Sequence, residues 1–355
     1  MSVATDILNE FVLPGAVTAV ERLGRGHIND SYKIVAGAGL GERSYLLQRL
    51  NSSIFPDPVA IMGNVIKVAS HLSQVSIKVK APGWDTQRHA LQFVSTRSGV
   101  PFFQDSLGGV WRLARFIENT KSAAEISTPE EAHEAGKAVG RFHRFMVDFT
   151  EPLEITLPGF HDTPQRLAFL KERAREDQFN RAAKVRPELN AVAAMSDDAS
   201  LITRMLESGE LPSRIAHNDA KVDNILFDRV SGKSLCMVDL DTVQPGSILH
   251  DLGDLLRSSA TRASEDELSL TRVIVRSPVV KAALDGFVEE TKAILTPAEK
   301  KHLILAGQTM ALEQAARFLS DYLHGDTYYP TSRPDHNLDR ARVQLKIAQG
   351  LAALR

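Results

Sequence analysis

The stretch Ile215-Ala216-His217-Asn218-Asp219-Ala220-Lys221-Val222-Asp223-Asn224-Ile225-Leu226-Phe227, followed shortly by Met237-Val238-Asp239-Leu240-Asp241, constrains this chain most. Short apolar runs enclose a polar octet, and such runs read as buried strands. The octet is therefore expected as a loop on a rigid hairpin. Asp239 and Asp241 are expected on one face of an extended segment, because side chains alternate along a strand. Phosphoryl transfer asks for a carboxylate that orients and deprotonates a hydroxyl, and for oxygen ligands that hold magnesium on phosphates. Asp219 suits the base, Asn224 a neutral oxygen ligand, and Asp239 with Asp241 the carboxylates for one or two ions. An Asx-rich turn accounts for any one of these residues. It does not account for four in this order.

The preceding sequence reads as a small β-rich lobe. Val17–Leu23, Ser31–Val35 and Ser44–Leu50 have the length and composition of strands, and Pro56–Leu72 has helical spacing. His89–Ser95 and Val110–Ile117 read as two further strands. Gly24 and Gly26, in Gly24-Arg25-Gly26-His27-Ile28-Asn29-Asp30, suit either a plain hairpin turn or a close approach to phosphate. From Thr128 the pattern turns helical: Thr128-Pro129-Glu130-Glu131 is a start signal, with a threonine cap and acids in the first turn. Residues 150–163 read as a loop, about 164–208 as polar helices, and 298–323 and 336–354 as amphipathic helices. The expectation is an α+β, bilobal chain, with an antiparallel-sheet N-lobe at 1–119, a mostly helical C-lobe at 120–355, and a nucleotide between them.

Composition narrows the partners. A length of 355 residues favours two lobes, and a net charge of −2 carries no footprint for nucleic acid or an anionic membrane. Cys236 is the one cysteine, so no internal disulfide forms. No apolar run reaches about 18 residues, so no membrane span is expected. The first twenty residues carry Asp6 and Glu10 without a basic start, which makes cytoplasmic the default location. Oligomeric state is left open.

HNDAKVDNILFD, VDLDTVQPG and HDLGD together resemble the phosphotransferase family of aminoglycoside phosphotransferases, choline kinases and methylthioribose kinase. Further stretches resemble its N-acetylhexosamine 1-kinase branch: Gly26-His27-Ile28-Asn29-Asp30-Ser31-Tyr32, Tyr45–Asn51, Phe55-Pro56-Asp57-Pro58, Leu157–Thr163 and Arg317–Asp326. The resemblance spans nearly the whole chain. It implies a protein-kinase-like bilobal fold and an ATP- and Mg2+-dependent kinase of a small molecule, with the anomeric hydroxyl of an N-acetylhexosamine as the acceptor. It casts Asp219 as base, Asn224 and Asp239 as metal ligands, and Asp241 as the second acid. Gly24, Arg25, Gly26 and Asn29 fall in the phosphate-covering loop, and Phe116, Ile117 and Glu118 in the hinge that meets adenine. His217 and Asp251 are implied to brace the loop.

One departure stands out. The third strand of kinases carries a lysine that pairs with a glutamate on the first helix. Here Gln48 holds that place, and Pro56–Leu72 contains no glutamate. Lys221, two residues after the base, is the candidate to meet the phosphate charge instead, and Arg49 is a weaker one on the opposite strand face. For the acceptor, Glu313, Arg317 and Asp321 share one helix face, either as a solvated ladder or as a substrate pocket. Arg317, Tyr328 or its neighbour Tyr329, and His27 are the substrate candidates; His161 and Asp162 receive no role. A kinase of another small alcohol is one alternative, although choline would want an aromatic cage and aromatic residues make up only 6% of the chain. A nucleotide-binding pseudokinase is the other.

Overall fold

The computed structural model describes residues 3–23, 29–79, 81, 84–122 and 125–355. Its N-terminal part contains α1 (Val3–Leu8), β1 (Val17–Arg22), β2 (Asp30–Ala36), β3 (Arg43–Arg49), α2 (Pro58–Lys78), β4 (Phe103–Gln104) and β5 (Val110–Arg115). The five strands form one antiparallel sheet in the order β1-β2-β3-β5-β4. Directly paired residues share a face. Ile34, Tyr45, Leu47, Trp111 and Leu113 therefore fall on one side, where they form an apolar cluster with Ile7, Leu8 and Phe11. Helix α1 thus closes the outer face; it was absent from the sequence reading. Lys33, Leu46, Gln48, Arg112 and Ala114 fall on the inner face by the same register.

His89–Ser95 is not a strand. Only an isolated bridge from Phe93 to Ala114 forms there, and the fifth strand of the sheet is Phe103–Gln104. Helix α2 starts as its sequence dictates, with Asp57 capping Ala60 and proline at the first position, but continues beyond Leu72 to Lys78. Its buried face, from Ile61 to Leu72, joins the main core of the C-terminal part rather than the outer-face cluster.

The remaining elements are β6 (Thr120–Ser122), α3 (Pro129–Phe145), α4 (Thr163–Glu176), α5 (Arg186–Ala199), α6 (Leu201–Glu207), β7 (Arg214–Ala216), β8 (Ile225–Asp228), β9 (Ser234–Met237), β10 (Gln244–Gly246), α7 (Ile248–Ser259), α8 (Ser277–Thr291), α9 (Pro297–Lys301), α10 (Leu303–Leu323) and α11 (His336–Ala352). Helix α10 packs between α7 and α11, and α3 lies along α8. Gly136 and Gly286 let α3 and α8 approach closely, since a Cβ at either would strike a main-chain carbonyl of the partner helix. Among the described residues, no helix is long and apolar enough to cross a membrane.

The expected hairpin around the central octet does not form. Strand β7 pairs with β10, whereas β8 pairs with β6 and β9. The octet therefore bridges two small sheets, and its rigidity has another source.

Candidate active site

That source is a set of buried hydrogen bonds on His217 and Asn218. Asp251 of α7 accepts the main-chain N–H of both residues at 2.7 Å. Thr242 donates its hydroxyl to the His217 carbonyl, and the Asn218 amide donates to the carbonyls of Ala216, Thr242 and Gln244. His217 Nδ1 accepts from the Asp219 N–H, so Nε2 carries the proton that meets the Val238 carbonyl at 2.9 Å. His217 is therefore a spacer between the octet and the segment bearing Asp239. Asn218 takes the left-handed conformation (φ 63°), which asparagine tolerates better than most residues. These bonds fix the backbone that carries Asp219.

Asp219 meets the Lys221 ammonium at 2.9 Å and accepts from the Asn224 amide at 2.8 Å. Burial raises its pKa, but Lys221 and the Asn224 amide outweigh it and hold the carboxyl below the ordinary range. Asp219 is therefore ionised at neutral pH, as a proton acceptor must be. The pair in turn holds Lys221 above the usual lysine value against the effect of burial. Asn224 engages Asp219 through its nitrogen, so its oxygen is the atom left to meet a cation. The Asn224 carbonyl also accepts the Val238 N–H at 2.9 Å, which ties the octet to the segment carrying Asp239.

Asp239 and Asp241 are arranged otherwise than the sequence predicted. Asp239 is left-handed (φ 62°) and opens a tight 3₁₀ turn, Leu240–Thr242, so the two carboxylates do not lie along an extended strand. Asp241 has a partner that the sequence reading missed. Arg112 of β5, only 3% exposed, binds both Asp241 oxygens with its two terminal nitrogens and donates Nε to Gln48 Oε1 at 3.0 Å. Asn29 adds a bond to Asp241 at 2.8 Å and accepts the Asn51 N–H. Asp241 is therefore the counter-ion of Arg112 rather than an open second metal ligand. Asp239 has no such cation. Burial, then Asp241 and Asp219, raise its pKa to about 7. A half-buried carboxylate without a paired cation among the described residues, on a segment tied to the octet through Asn224, fits a hard divalent ion. Among the described residues, no cluster of three His, Cys, Asp or Glu residues could hold a metal alone, so further oxygen ligands would come from water and phosphate.

Gly24, Arg25, Gly26 and His27 lie outside the described residues. Gln48 bonds Ser31 and Arg112, and Arg49 points to the other face, over Trp111. At the hinge, Arg88 occupies the Glu118 carbonyl at 3.0 Å, Thr120 the Ile117 carbonyl, and Lys33 the Glu118 side chain. The hinge floor is apolar, with Ile117 packed near Leu226 and Val238. A cavity of about 560 Å³ opens there, lined by Val35, Ser44, Phe116, Ile117, Glu118 and Arg88 among others. The three site aspartates do not line it.

Glu313, Arg317 and Asp321 are not a solvated ladder, because Glu313 and Asp321 are buried and each binds elsewhere. Glu313 accepts from His161 at 2.9 Å and from Thr163 at 2.7 Å. His161 spends its other nitrogen on the Asn218 carbonyl, also at 2.9 Å. Both acceptors are oxygens, so the ring is a doubly protonated imidazolium. Burial opposes this, but Glu313 raises the His161 pKa, and His161 with Thr163 pulls Glu313 down to about 2. Burial and the neighbouring imidazolium push His250 to about 3. Asp162 caps α4 through the Gln165 N–H. Asp321 accepts the N–H groups of Thr327, Tyr328 and Tyr329, and Asn337 joins them. Of the two tyrosines, Tyr328 is 62% exposed. Tyr329 turns inward against Phe318 and the Arg317 guanidinium (5.7 Å), with its buried hydroxyl beside the Gln314 side chain.

A family model described as the phosphotransferase enzyme family (APH) matches residues 19–280. The chain belongs to this family. It is a phosphotransferase of small molecules, with the protein-kinase-like α+β fold. Similar solved structures include an aminoglycoside phosphotransferase from Alicyclobacillus acidocaldarius, with TM-score 0.64, 16% identity, and coverage of 100% of this chain and 96% of that one. A microcompartment-associated aminopropanol kinase follows at TM-score 0.66 and 13% identity, covering 99% and 97%. A spectinomycin phosphotransferase in complex with ADP and spectinomycin follows at 0.61 and 11%, covering 99% of both chains.

Proposed function

We propose that this phosphotransferase moves the γ-phosphoryl group of ATP to a sugar hydroxyl, with the anomeric hydroxyl of an N-acetylhexosamine such as GlcNAc or GalNAc as the acceptor. Asp219 orients the hydroxyl and takes its proton. Lys221, already on Asp219, faces the transferring phosphoryl group, where a cation counts most. Asn224 and Asp239 would hold the magnesium ion, which draws charge off the phosphate oxygens when bound. The hinge at Phe116–Glu118, the inner sheet face with Gln48, and the segment ending in Asn29 would hold the nucleotide.

Charge on the acceptor side carries the sugar reading. Arg317 and Arg257 lie within electrostatic reach of one another, and Arg257 within reach of Asp219. Most carboxylates around them are already committed: Asp254 to Arg257, Glu313 to His161, and Asp321 to three main-chain N–H groups, while Glu265, also within electrostatic reach of Arg257, keeps a longer pairing with Arg340 at 3.9 Å. An amino alcohol or aminoglycoside brings ammonium groups and needs free carboxylates. A neutral N-acyl sugar offers carbonyl and hydroxyl oxygens to Arg317 and to the buried hydroxyl of Tyr329. His27 and Tyr328 remain candidates for the rim. The similar structures carry the second reading, since an aminopropanol kinase stands among them.

ADP release with ATP and Mg2+ should be compared for GlcNAc, GalNAc, other hexoses, ethanolamine, aminopropanol and an aminoglycoside, with ³¹P spectra of the product. Turnover confined to the amines would sink the sugar reading and leave the phosphotransferase intact. Silence with every alcohol despite tight ATP binding would sink catalysis itself.

A further inference from the structure

The missing strand-three lysine and helix glutamate leave two tasks without owners: fixing the sheet to the site, and meeting charge at the phosphates. Lys221 answers the second only. For the first, the inner sheet face offers Arg112, directly paired with Gln48. Its guanidinium makes a two-pronged contact with Asp241 and a third bond to Gln48, which in turn donates to Ser31 at 3.2 Å. Asp241 also takes Asn29, the described residue that closes the glycine-rich stretch. One carboxylate, two residues after Asp239, therefore gathers β2, β3, β5 and the metal turn.

Helix α2, which in kinases carries the glutamate, is otherwise engaged. Asn64 bonds the main chain of Glu154 in both directions and the Val243 carbonyl. Lys67 reaches the Pro152 carbonyl at 2.7 Å, and His71 the Phe145 carbonyl at 2.8 Å. The helix also packs on the Leu240–Thr242 turn. It is a fixed part of the C-terminal core, and Arg112 meets it at Met62.

We propose that Arg112 is the positioning residue which, through Asp241, replaces the lysine–glutamate pair and holds the metal turn against the sheet. Arg suits the place better than Lys, because its planar fork matches a carboxylate in two bonds. A partner of this kind sets ligand orientation and with it metal affinity. The inference rests on Asp239 and Asn224 as the metal site.

The test is calorimetric binding of a non-hydrolysable ATP analogue, with and without Mg2+, to the parent, R112Q, D241N and the double variant. R112Q and D241N should each lose about 10–100-fold of the Mg2+-dependent affinity. Metal-free affinity should stay within about twofold, and the double variant should bind no more weakly than D241N alone. R112Q leaves a buried carboxylate unpaired, and if it does not fold the comparison of D241N with the double variant decides, since neither leaves Asp241 charged. Unchanged Mg2+ dependence in folded R112Q, losses that multiply in the double variant, or a double variant weaker than D241N would each overturn the proposal. An equal fall in metal-free affinity would overturn it too, by making Arg112 a direct phosphate ligand. A parent that fails to bind the analogue at all counts against the nucleotide site, not against Arg112.

Discussion

Glu313→Gln isolates one charge in a buried pair and keeps the side chain's shape. Glu313 is 1% exposed, so solvent screening is slight, and its pKa falls from 4.5 to about 2. At about 1.4 kcal/mol per unit, this corresponds to about 3 kcal/mol of native stability. His161 belongs to the same pair, so its own shift is the same interaction seen from the other side and is not added. The direction with pH follows from the signs. A depressed carboxylate stabilises above its unfolded pKa and loses that contribution as pH falls from 4.5 towards 2. A raised histidine stabilises below its unfolded value of 6.5 and loses that contribution as pH rises past its folded value. The parent and variant should therefore differ most between about pH 5 and 6.5. Urea unfolding at pH 6 should show a gap of about 3 kcal/mol, falling to less than half by about pH 3. Because His161 holds the Asn218 carbonyl, kcat should fall as well, with the KM for ATP little changed. A gap under about 1 kcal/mol at pH 6, or one that is flat down to pH 3, would refute the pairing.

Asp219→Asn should lower kcat about a thousandfold while calorimetric nucleotide affinity barely moves; turnover near the parent's would remove Asp219 as base. Asp239→Asn removes an unpaired half-buried charge, so the metal-free protein should gain roughly 1 kcal/mol in thermal unfolding while losing Mg2+-dependent stabilisation by nucleotide. Arg317→Ala should cost about 1.5–3 kcal/mol in kcat/KM for the acceptor, or about 10–100-fold, with the KM for ATP unchanged. Asp321→Asn weakens the cap on Thr327–Tyr329 and should cost about 1–3 kcal/mol of stability and raise the acceptor KM more than the ATP KM.

Local rules read well where the stabilising partner is close in sequence. Thr128 and Asp57 cap α3 and α2 as their side chains dictate, because a cap needs only the next three residues. The rules fail where the partner is remote. Ile215-Ala216 and Ile225–Phe227 are strands, yet apolar runs of three or four residues do not encode which strand they pair with, and they entered different sheets. Helix α1 has six residues, too few to hold on their own, and exists because Ile7 and Leu8 cover the sheet. The same division runs through the site. Asp219, Asn224 and Asp239 sit within one stretch of sequence, and the structure brings the segments that carry them together. Arg112 and Asp241 are separated by 129 positions, and their meeting depends on the β3–β5 register. The signal was present: an arginine in the centre of Val110–Ile117, whose neighbours are apolar, has to find an anion.

Once that pair is recognised, the charges at the centre can be assigned one by one. Asp219 has Lys221, and Asp241 has Arg112. Asp239 has neither, and both neighbouring carboxylates act on it unfavourably. Further permanent cations here would compensate Asp239 in the empty protein and remove its need for an ion. A further carboxylate would leave two charges buried without partners, at a cost in folding that one site could not readily offset. Among the described residues, Asp219 and Asp241 each hold a paired cation and Asp239 holds none, which leaves a charge that an arriving cation can balance. On the proposed function, Lys221 would turn from Asp219 to a phosphate when both ligands are present, its departure compensated as the acceptor's proton reaches Asp219. Arg112 has both prongs on Asp241 and, on the inference above, keeps them there. On the proposals above, Lys221 and Arg112 would divide between them what a single strand-three lysine does elsewhere, one meeting phosphate charge and the other holding Asp241.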